Sequence, residues 1–305
     1  MGSMTRIPIL AVLAFSQALL LAQRETPTVE LQKRSSMISY GAVPLGKHSL
    51  AELSPGATWR LGMNTASTWR TEMPVLIGEQ VLAPGEYRIQ LQRLSETRCA
   101  IEIHGSALAT GGSEELQVEA DLSKEKKKAK KLRIEWRKAK GKSKSKHAMP
   151  VSLKVHYGEH SLAGAVTLLG GKDAKLGKDR LTVFAVPAKL IAARKEAPVP
   201  IAVVHRGKGK SMKSWCLVLD GDEAVLRPWM VAPTTQFGFG EVVAPSAAWT
   251  TTGEATATAR ELPKGADALQ LLGVEMRKQQ ATLQLAAGKE LLTVTVVIPD
   301  KTGKK

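Results

Sequence analysis

Apolar and polar residues alternate with a period of two along much of the chain, and this pattern predicts antiparallel strands. The clearest alternating runs are 86–92, 99–103, 132–136 and 151–155. Each such strand is expected to place one face on a core and the other in water. Turn-forming pairs separate the runs. These pairs are Pro55-Gly56, Pro84-Gly85, Gly111-Gly112 and Gly170-Gly171.

The C-terminal third repeats the pattern, with one helix predicted before it. Runs 281–286 and 291–298, separated by a short turn at 287–289, predict a hairpin. A helix is predicted over 187–196, because Pro187 suits a first helical turn and Pro198 ends the segment. Mostly strand with little helix predicts an all-β fold, an antiparallel β-sandwich with two β units and at most one or two short helices.

The chain divides into segments of different composition. Residues 1–22 are predicted to be a signal peptide and 23–38 an N-terminal segment. Residues 39–169 form the first β-sandwich domain with a lysine-rich insertion at 124–146, and 181–300 form a second β domain. Residues 170–180, rich in Gly, Lys and Asp, are predicted to link them, and 301–305 form a basic tail.

The first 22 residues resemble an export signal. Arg6 precedes an apolar run, 7–22, that only Ser16 and Gln17 interrupt. The run is shorter than the roughly 20 residues that span a bilayer, and Pro8 lies inside it. We therefore expect a secreted or periplasmic protein with no transmembrane segment in its mature chain. A buried helix or a single membrane anchor is the alternative, and cleavage remains open.

Only two cysteines, Cys99 and Cys216, occur in the sequence. In an oxidising compartment they could form a disulfide, but they are far apart in sequence and fall in different predicted domains. Two separate buried thiols are the alternative.

The first half carries a set of motifs in a recognisable order. Ser39-Tyr40-Gly41 comes first, then the block 59–67, which reads WRLGMNTAS, and then LAPGEY at 82–87. This resembles domain of unknown function 2911, a family of exported bacterial β-proteins, over roughly residues 39–168. Met63 and Thr65 depart from the family pattern, and so does the lysine insertion. The resemblance implies export and a β fold, and it implies no reaction.

Three tryptophans are each followed by arginine, and one of these pairs suggests a ligand site. Trp59, Arg60 and Asn64 could line a groove in which an aromatic face and polar donors meet a ligand such as a glycan. The alternative is structural, since a strand places neighbouring side chains on opposite faces. In that case the tryptophan anchors the core and the arginine faces water.

Charge is concentrated in one segment. Lys and Arg exceed Asp and Glu by 44 − 28 = 16, and residues 124–146 hold 13 Lys or Arg with two acids, a net +11. We expect a lysine-rich loop, a strand at 132–136 and a second lysine-rich loop. Such a segment attracts polyanions without sequence specificity, such as an anionic envelope polymer. A solubilising, disordered loop is the alternative. The candidate residues are Lys126, Lys127, Lys128, Lys130, Lys131, Lys138 and Lys140.

One catalytic motif is present in form. His156-Tyr157-Gly158-Glu159-His160 matches H-x-x-E-H, the inverted zinc-peptidase signature, which needs a helix to bring both imidazoles to one metal. Here the flanks predict strand, so a hairpin turn carrying His156 and His160 is expected instead. No nucleophile elbow, phosphate-binding loop, nucleic-acid-binding motif or cofactor motif occurs. The sequence thus predicts a non-catalytic binding or structural module, with a metal-dependent hydrolase or a polyanion-binding protein as alternatives.

Overall fold

A computed structural model describes most of the chain. The described ranges are 24–46, 49–63, 66–105, 115–139, 146–207, 213–228, 254–277 and 280–297. The predicted signal peptide and the basic tail lie outside these ranges, as does Asn64.

The described residues form nineteen strands and one short α-helix. The first ten strands are β1 (Arg24–Glu25), β2 (Thr28–Leu31), β3 (Arg34–Gly41), β4 (Thr58–Trp59), β5 (Ser67–Thr71), β6 (Val75–Ile77), β7 (Gln80–Leu82), β8 (Gly85–Arg93), β9 (Arg98–His104) and β10 (Glu115–Asp121). The others are β11 (Ser123–Lys138), β12 (Ala148–Leu169), β13 (Gly171–Leu176), β14 (Asp179–Phe184), β15 (Val199–Arg206), β16 (Lys213–Asp220), β17 (Glu223–Pro228), β18 (Glu254–Arg277) and β19 (Gln280–Val297). Helix α1 is Ala188–Ala192, and a 3-10 turn spans Leu50–Glu52.

The strands pair antiparallel in three sheets. The first has the order β1-β3-β5-β8-β9-β10, with β2 beside β3 and β4 beside β8. The second has the order β11-β12-β6-β7. The third runs from β13 to β19 in chain order. The predicted all-β antiparallel fold is therefore confirmed, and so is the single short helix, which is shorter than expected.

The first two sheets pack against each other through large apolar side chains. Trp69 in β5 is fully buried, and its ring centroid lies 5.5 Å from that of Trp136 in β11. At the other end, a Cβ added to Gly164 in β12 would come within 2.2 Å of the Val118 side chain in β10. The sheets can approach closely there because glycine leaves that space free.

The third sheet curls back on itself. The Leu269 amide in β18 donates to the Val186 carbonyl at 2.8 Å, and Pro187 forms an isolated bridge with Ala268. Residues 185–187, which lead from β14 into α1, thus contact β18. In the order of the sheet, β18 lies four strands away from β14. The predicted turn at 287–289 is wrong, since these residues lie inside β19. Gly288 has φ +57°, which bends the strand instead of reversing it.

Close packing surrounds residues 170–180, the predicted linker, which contain β13 and the start of β14. Gln32 and Lys33 form a two-residue turn with φ 52° and 62°, a conformation typical of type I′ hairpins. From this turn the Gln32 side-chain oxygen accepts from the Gly171 amide at 2.8 Å. Buried apolar residues of all three sheets belong to one contiguous cluster. The division into domains 39–169 and 181–300 stays a prediction.

His205 in β15 makes the stability of the protein sensitive to acid. Burial, then the charges of Arg180 and Arg34, lower the pKa of His205 to about 4 from an ordinary 6.5, and Glu72 and Asp173 oppose this in part. The unfolded chain therefore binds a proton that the folded chain does not between pH 6.5 and 4. The contribution of His205 to stability is fully present above pH 6.5 and decreases as the pH falls through this window.

We expect the free energy of unfolding to fall by about 1 kcal/mol between pH 7 and pH 5, after allowance for solvent screening. Chemical denaturation at several pH values measures this change. His205→Gln removes the titration and should flatten the profile. A profile that keeps its slope in His205→Gln would assign the acid sensitivity to other groups, such as His147, whose pKa burial also lowers.

Cys99 and Cys216 are both buried and no disulfide joins them. This agrees with the alternative of two separate thiols. The part of the chain that the structure describes contains no helix with the length and apolar character needed to cross a bilayer.

Candidate functional site

The lysine-rich segment forms a strand at the end of the second sheet. Residues 123–138 are β11, which pairs with β12, so the predicted first loop at 124–131 is wrong. Along this basic strand, all six described lysine candidates are exposed. They are Lys126, Lys127, Lys128, Lys130, Lys131 and Lys138, whereas Lys140 lies outside the described residues.

Irregular pairing concentrates the cations. Lys124 pairs with His160, Ala129 with Gly158 and Arg133 with His156. Residues 124–133, here called the lysine bulge, therefore place ten residues opposite five of β12, and seven of the ten are Lys or Arg. Five strand residues span at most about 16 Å. The average spacing of the cations along the strand is shorter than the Debye length of about 8 Å, so neighbouring cations repel one another in physiological salt.

The backbone of the bulge is held from its other side by the chain after β3. The Leu45 amide donates to the Lys130 carbonyl at 2.8 Å, and the Leu132 amide donates to the Val43 carbonyl at 2.7 Å. Pro44 and Lys131 form an isolated bridge between these two bonds. Long-range hydrogen bonds, and not local apolar alternation, make this stretch a strand.

A partly buried ion pair, here called the Glu125 clasp, ties the bulge to β12. Lys154 has only 6% of its side chain exposed and donates to Glu125. The Ser161 hydroxyl donates to the same carboxylate oxygen at 2.6 Å. Hydrogen bonds from Lys154 and Ser161 lower the pKa of Glu125 to about 2, so the carboxylate is charged at neutral pH. The one acid inside the bulge therefore faces Lys154 and leaves the exposed lysines unneutralised.

Two other carboxylates meet the bulge at its margins. Lys124 lies 3.8 Å from Glu159, and both side chains are at least half exposed. Lys131 pairs with Glu25; burial there opposes ionisation, but hydrogen bonds from Lys131 and Tyr40 outweigh it and lower the pKa of Glu25. Among the described residues, no carboxylate lies within ion-pair distance of the other four bulge lysines. These four are Lys126, Lys127, Lys128 and Lys130.

Tyr40 fixes the end of the bulge to the first sheet. Its hydroxyl donates to Glu25 and accepts from the Ile134 amide at 3.0 Å. The side chain is almost fully buried, and burial together with the bond to Glu25 raises the pKa of the phenol. The bulge is thus anchored at both ends, by Tyr40 and by the Glu125 clasp.

The H-x-x-E-H motif lies within β12, so the expected hairpin turn is wrong. Gly158 has φ +62°, and this left-handed residue bends the strand between His156 and His160. Both imidazoles are half-buried. A strand lacks the helical turn that would bring residues four apart to one metal. Across the ranges the structure describes, no three His, Cys, Asp or Glu side chains converge as metal ligands would.

The predicted ligand groove falls only in part within the described residues. Trp59 is half-buried, with its ring centroid 5.2 Å from that of Tyr157, whose hydroxyl donates to the Pro44 carbonyl at 2.9 Å. Arg60 is exposed beside it. A cleft of about 210 Å³ lies elsewhere, between the turn after β6 and helix α1, and Glu79 and Lys189 line it. That cleft contains neither Trp59 nor Arg60.

Sequence reasoning missed the residues that shape the bulge. Lys154 and Ser161 lie 29 and 36 positions from Glu125, so spacing alone gives no sign of their contact. The one available signal is Glu125 itself, a single acid within a run of lysines.

Comparisons with protein-family models, curated proteins and solved structures find no match to this chain. The resemblance to domain of unknown function 2911 therefore stays a prediction. Any functional proposal rests on the geometry of the lysine bulge and its contacts.

Proposed function

We propose that this protein is a non-catalytic β-sheet module that binds anionic polymers through the lysine bulge of β11. The observation that carries the proposal is the arrangement of seven cations opposite five residues of β12, on a backbone held from both sides. Bringing these cations together costs electrostatic free energy. A polyanion lowers that cost and releases its own counterions on binding.

The predicted leader at residues 1–22 supports a role outside the cytoplasm, with an envelope polymer as the partner. The module would then act by attachment and not by a reaction. A purely protective role for the lysines is the rival, because exposed lysines on a terminal strand also prevent sheets from associating edge to edge.

Salt dependence tests the proposal. With about four phosphate or sulfate contacts, the affinity for a labelled polyanion such as dextran sulfate should fall about 50-fold between about 50 mM and about 200 mM NaCl. A triple variant, Lys126→Gln, Lys127→Gln and Lys128→Gln, should reduce the slope of log K against log salt concentration by about 2. Fluorescence anisotropy measures both quantities.

The matched control changes three exposed lysines in the third sheet. Lys172→Gln, Lys175→Gln and Lys178→Gln remove the same charge from the β13–β14 hairpin. This control should keep the wild-type slope. If both triple variants lower the affinity equally, net charge and not the bulge drives binding. If the wild-type protein does not bind, the protective role replaces the proposal.

A further inference from the structure

The lysine bulge has a shape that selects among polyanions. Lys126, Lys127 and Lys128 are consecutive and exposed, and they lie in the part of the bulge that faces Glu159 across the pair of strands. The register shift between Lys124 and Ala129 leaves these three residues without direct partners in β12. Their side chains are exposed, and together they form a short ridge of cations.

A short ridge of consecutive cations suits a flexible partner. A flexible chain can bend over the ridge and bring adjacent anionic groups to neighbouring lysines, whereas a flat anionic surface such as a lipid bilayer cannot bend around it. The exposed large apolar side chains in the described part of the chain are Leu272 and Val297, which lie in β18 and β19 and not beside the bulge. The bulge therefore has no neighbouring apolar anchor for a membrane.

Among the described residues, no fully exposed aromatic ring lies beside the bulge on which nucleic-acid bases could stack. Trp136, the aromatic residue of β11, is half-buried with its ring against Trp69. Trp59 packs on Tyr157 in the same way. Binding of single-stranded nucleic acid depends on exposed aromatic faces as well as on charge, and stacking is worth about 1–3 kcal/mol per base. Without such faces, a polymer with bases gains nothing over one without them.

The spacing of the cations in the bulge indicates how closely the anionic groups of its partner should be spaced. Seven cations over at most about 16 Å is roughly one every 2–3 Å, denser than the one charge per 3.4 Å along a DNA strand. Six of the seven are lysines, whose compact ammonium groups bind phosphate and sulfate as point charges and need no bidentate geometry.

We infer that the lysine bulge binds a flexible, base-free polyanion with phosphate or sulfate groups on adjacent repeat units. This inference rests on the proposed function, since it names the class of polymer for the same site. The shared chemistry is a closely spaced row of tetrahedral oxyanions on a chain that can bend over the ridge.

A four-probe binding assay with the full chain tests the inference. The probes are long-chain inorganic polyphosphate, dextran sulfate, an oligo-dT of equal charge, and vesicles containing phosphatidylserine. Polyphosphate or dextran sulfate should bind at least about tenfold more tightly per charge than oligo-dT or the vesicles. The two polymers also separate phosphate from sulfate as the preferred group. In the triple variant at Lys126, Lys127 and Lys128 this preference should disappear, and in the Lys172, Lys175 and Lys178 control it should persist.

The two proposals fail differently in this assay. If oligo-dT or the vesicles bind as tightly as polyphosphate, and the triple variant weakens that binding, the inference is overturned and the proposed function stands. If the preference for polyphosphate survives in the triple variant, the bulge does not select the polymer, and the inference is again overturned. If none of the four probes binds, the proposed function itself is overturned.

Discussion

Replacing Glu125 by glutamine should lower the free energy of unfolding by about 3 kcal/mol, because it leaves the Lys154 ammonium buried beside a neutral amide. The Ser161 hydroxyl keeps an acceptor, so the loss reports mainly on the ion pair. Urea denaturation at pH 7 measures the change. The difference between wild type and variant should shrink as the pH falls from 4.5 towards 2, where the carboxylate of Glu125 becomes protonated and the pair is lost.

Two further variants make this prediction specific to the Glu125 clasp. Glu119→Gln breaks an ion pair with Arg98 whose side chains are both about half exposed, and it should cost less than about 1 kcal/mol. Lys154→Met added to Glu125→Gln removes the buried charge and should recover at least half of the lost stability. If Glu125→Gln is as stable as wild type, the ion pair does not stabilise the buried Lys154 ammonium.

Trp69→Ala should destabilise the protein by about 3–5 kcal/mol, because it opens a cavity between the first two sheets. The Trp69 indole is fully buried, packs against Trp136 and donates to the Ser36 hydroxyl at 2.8 Å. The substitution therefore also removes the donor to a buried hydroxyl group. Thermal and chemical denaturation should both show the loss.

Trp59→Ala is the matched comparison for Trp69→Ala. Trp59 is half-buried at the margin of the same core, so its removal should cost less than half as much. If the two substitutions cost the same, the sheets are not joined mainly through Trp69. If Trp59→Ala abolishes binding of a glycan and leaves stability unchanged, the predicted ligand groove gains direct support.

The sequence predicts a strand where apolar residues, which are buried, alternate with polar residues. β8 alternates cleanly because Tyr87, Ile89 and Leu91 face the core while polar residues separate them. In β9 the expected alternation is wrong, since residues 99–103 are all buried. The strand at 124–131 could not be predicted in this way. Its lysines face water, and its backbone is ordered by hydrogen bonds to Val43 and Leu45, far away in sequence.

Two glycines led to the same wrong prediction. At 287–289 and at 156–160 they predicted chain reversals, whereas Gly288 and Gly158 bend long continuous strands. A positive φ permits either outcome, and the pairing partner decides which occurs. The sequence therefore predicts that the candidate site contains a cluster of lysines. It does not predict the shape of the site, because that shape depends on the pairing with β12 and on the Glu125 clasp.

The bridge between Pro187 and Ala268 has a consequence for the time course of folding. Contacts between residues so far apart in sequence form slowly, because a long loop must close first. During synthesis the chain emerges from its N-terminus, so β13 to β17 are complete before their closing partner β18 exists. Until residue 268 emerges, the curled sheet presents an unpaired border, and a chaperone that shields this border should reduce aggregation of the nascent protein.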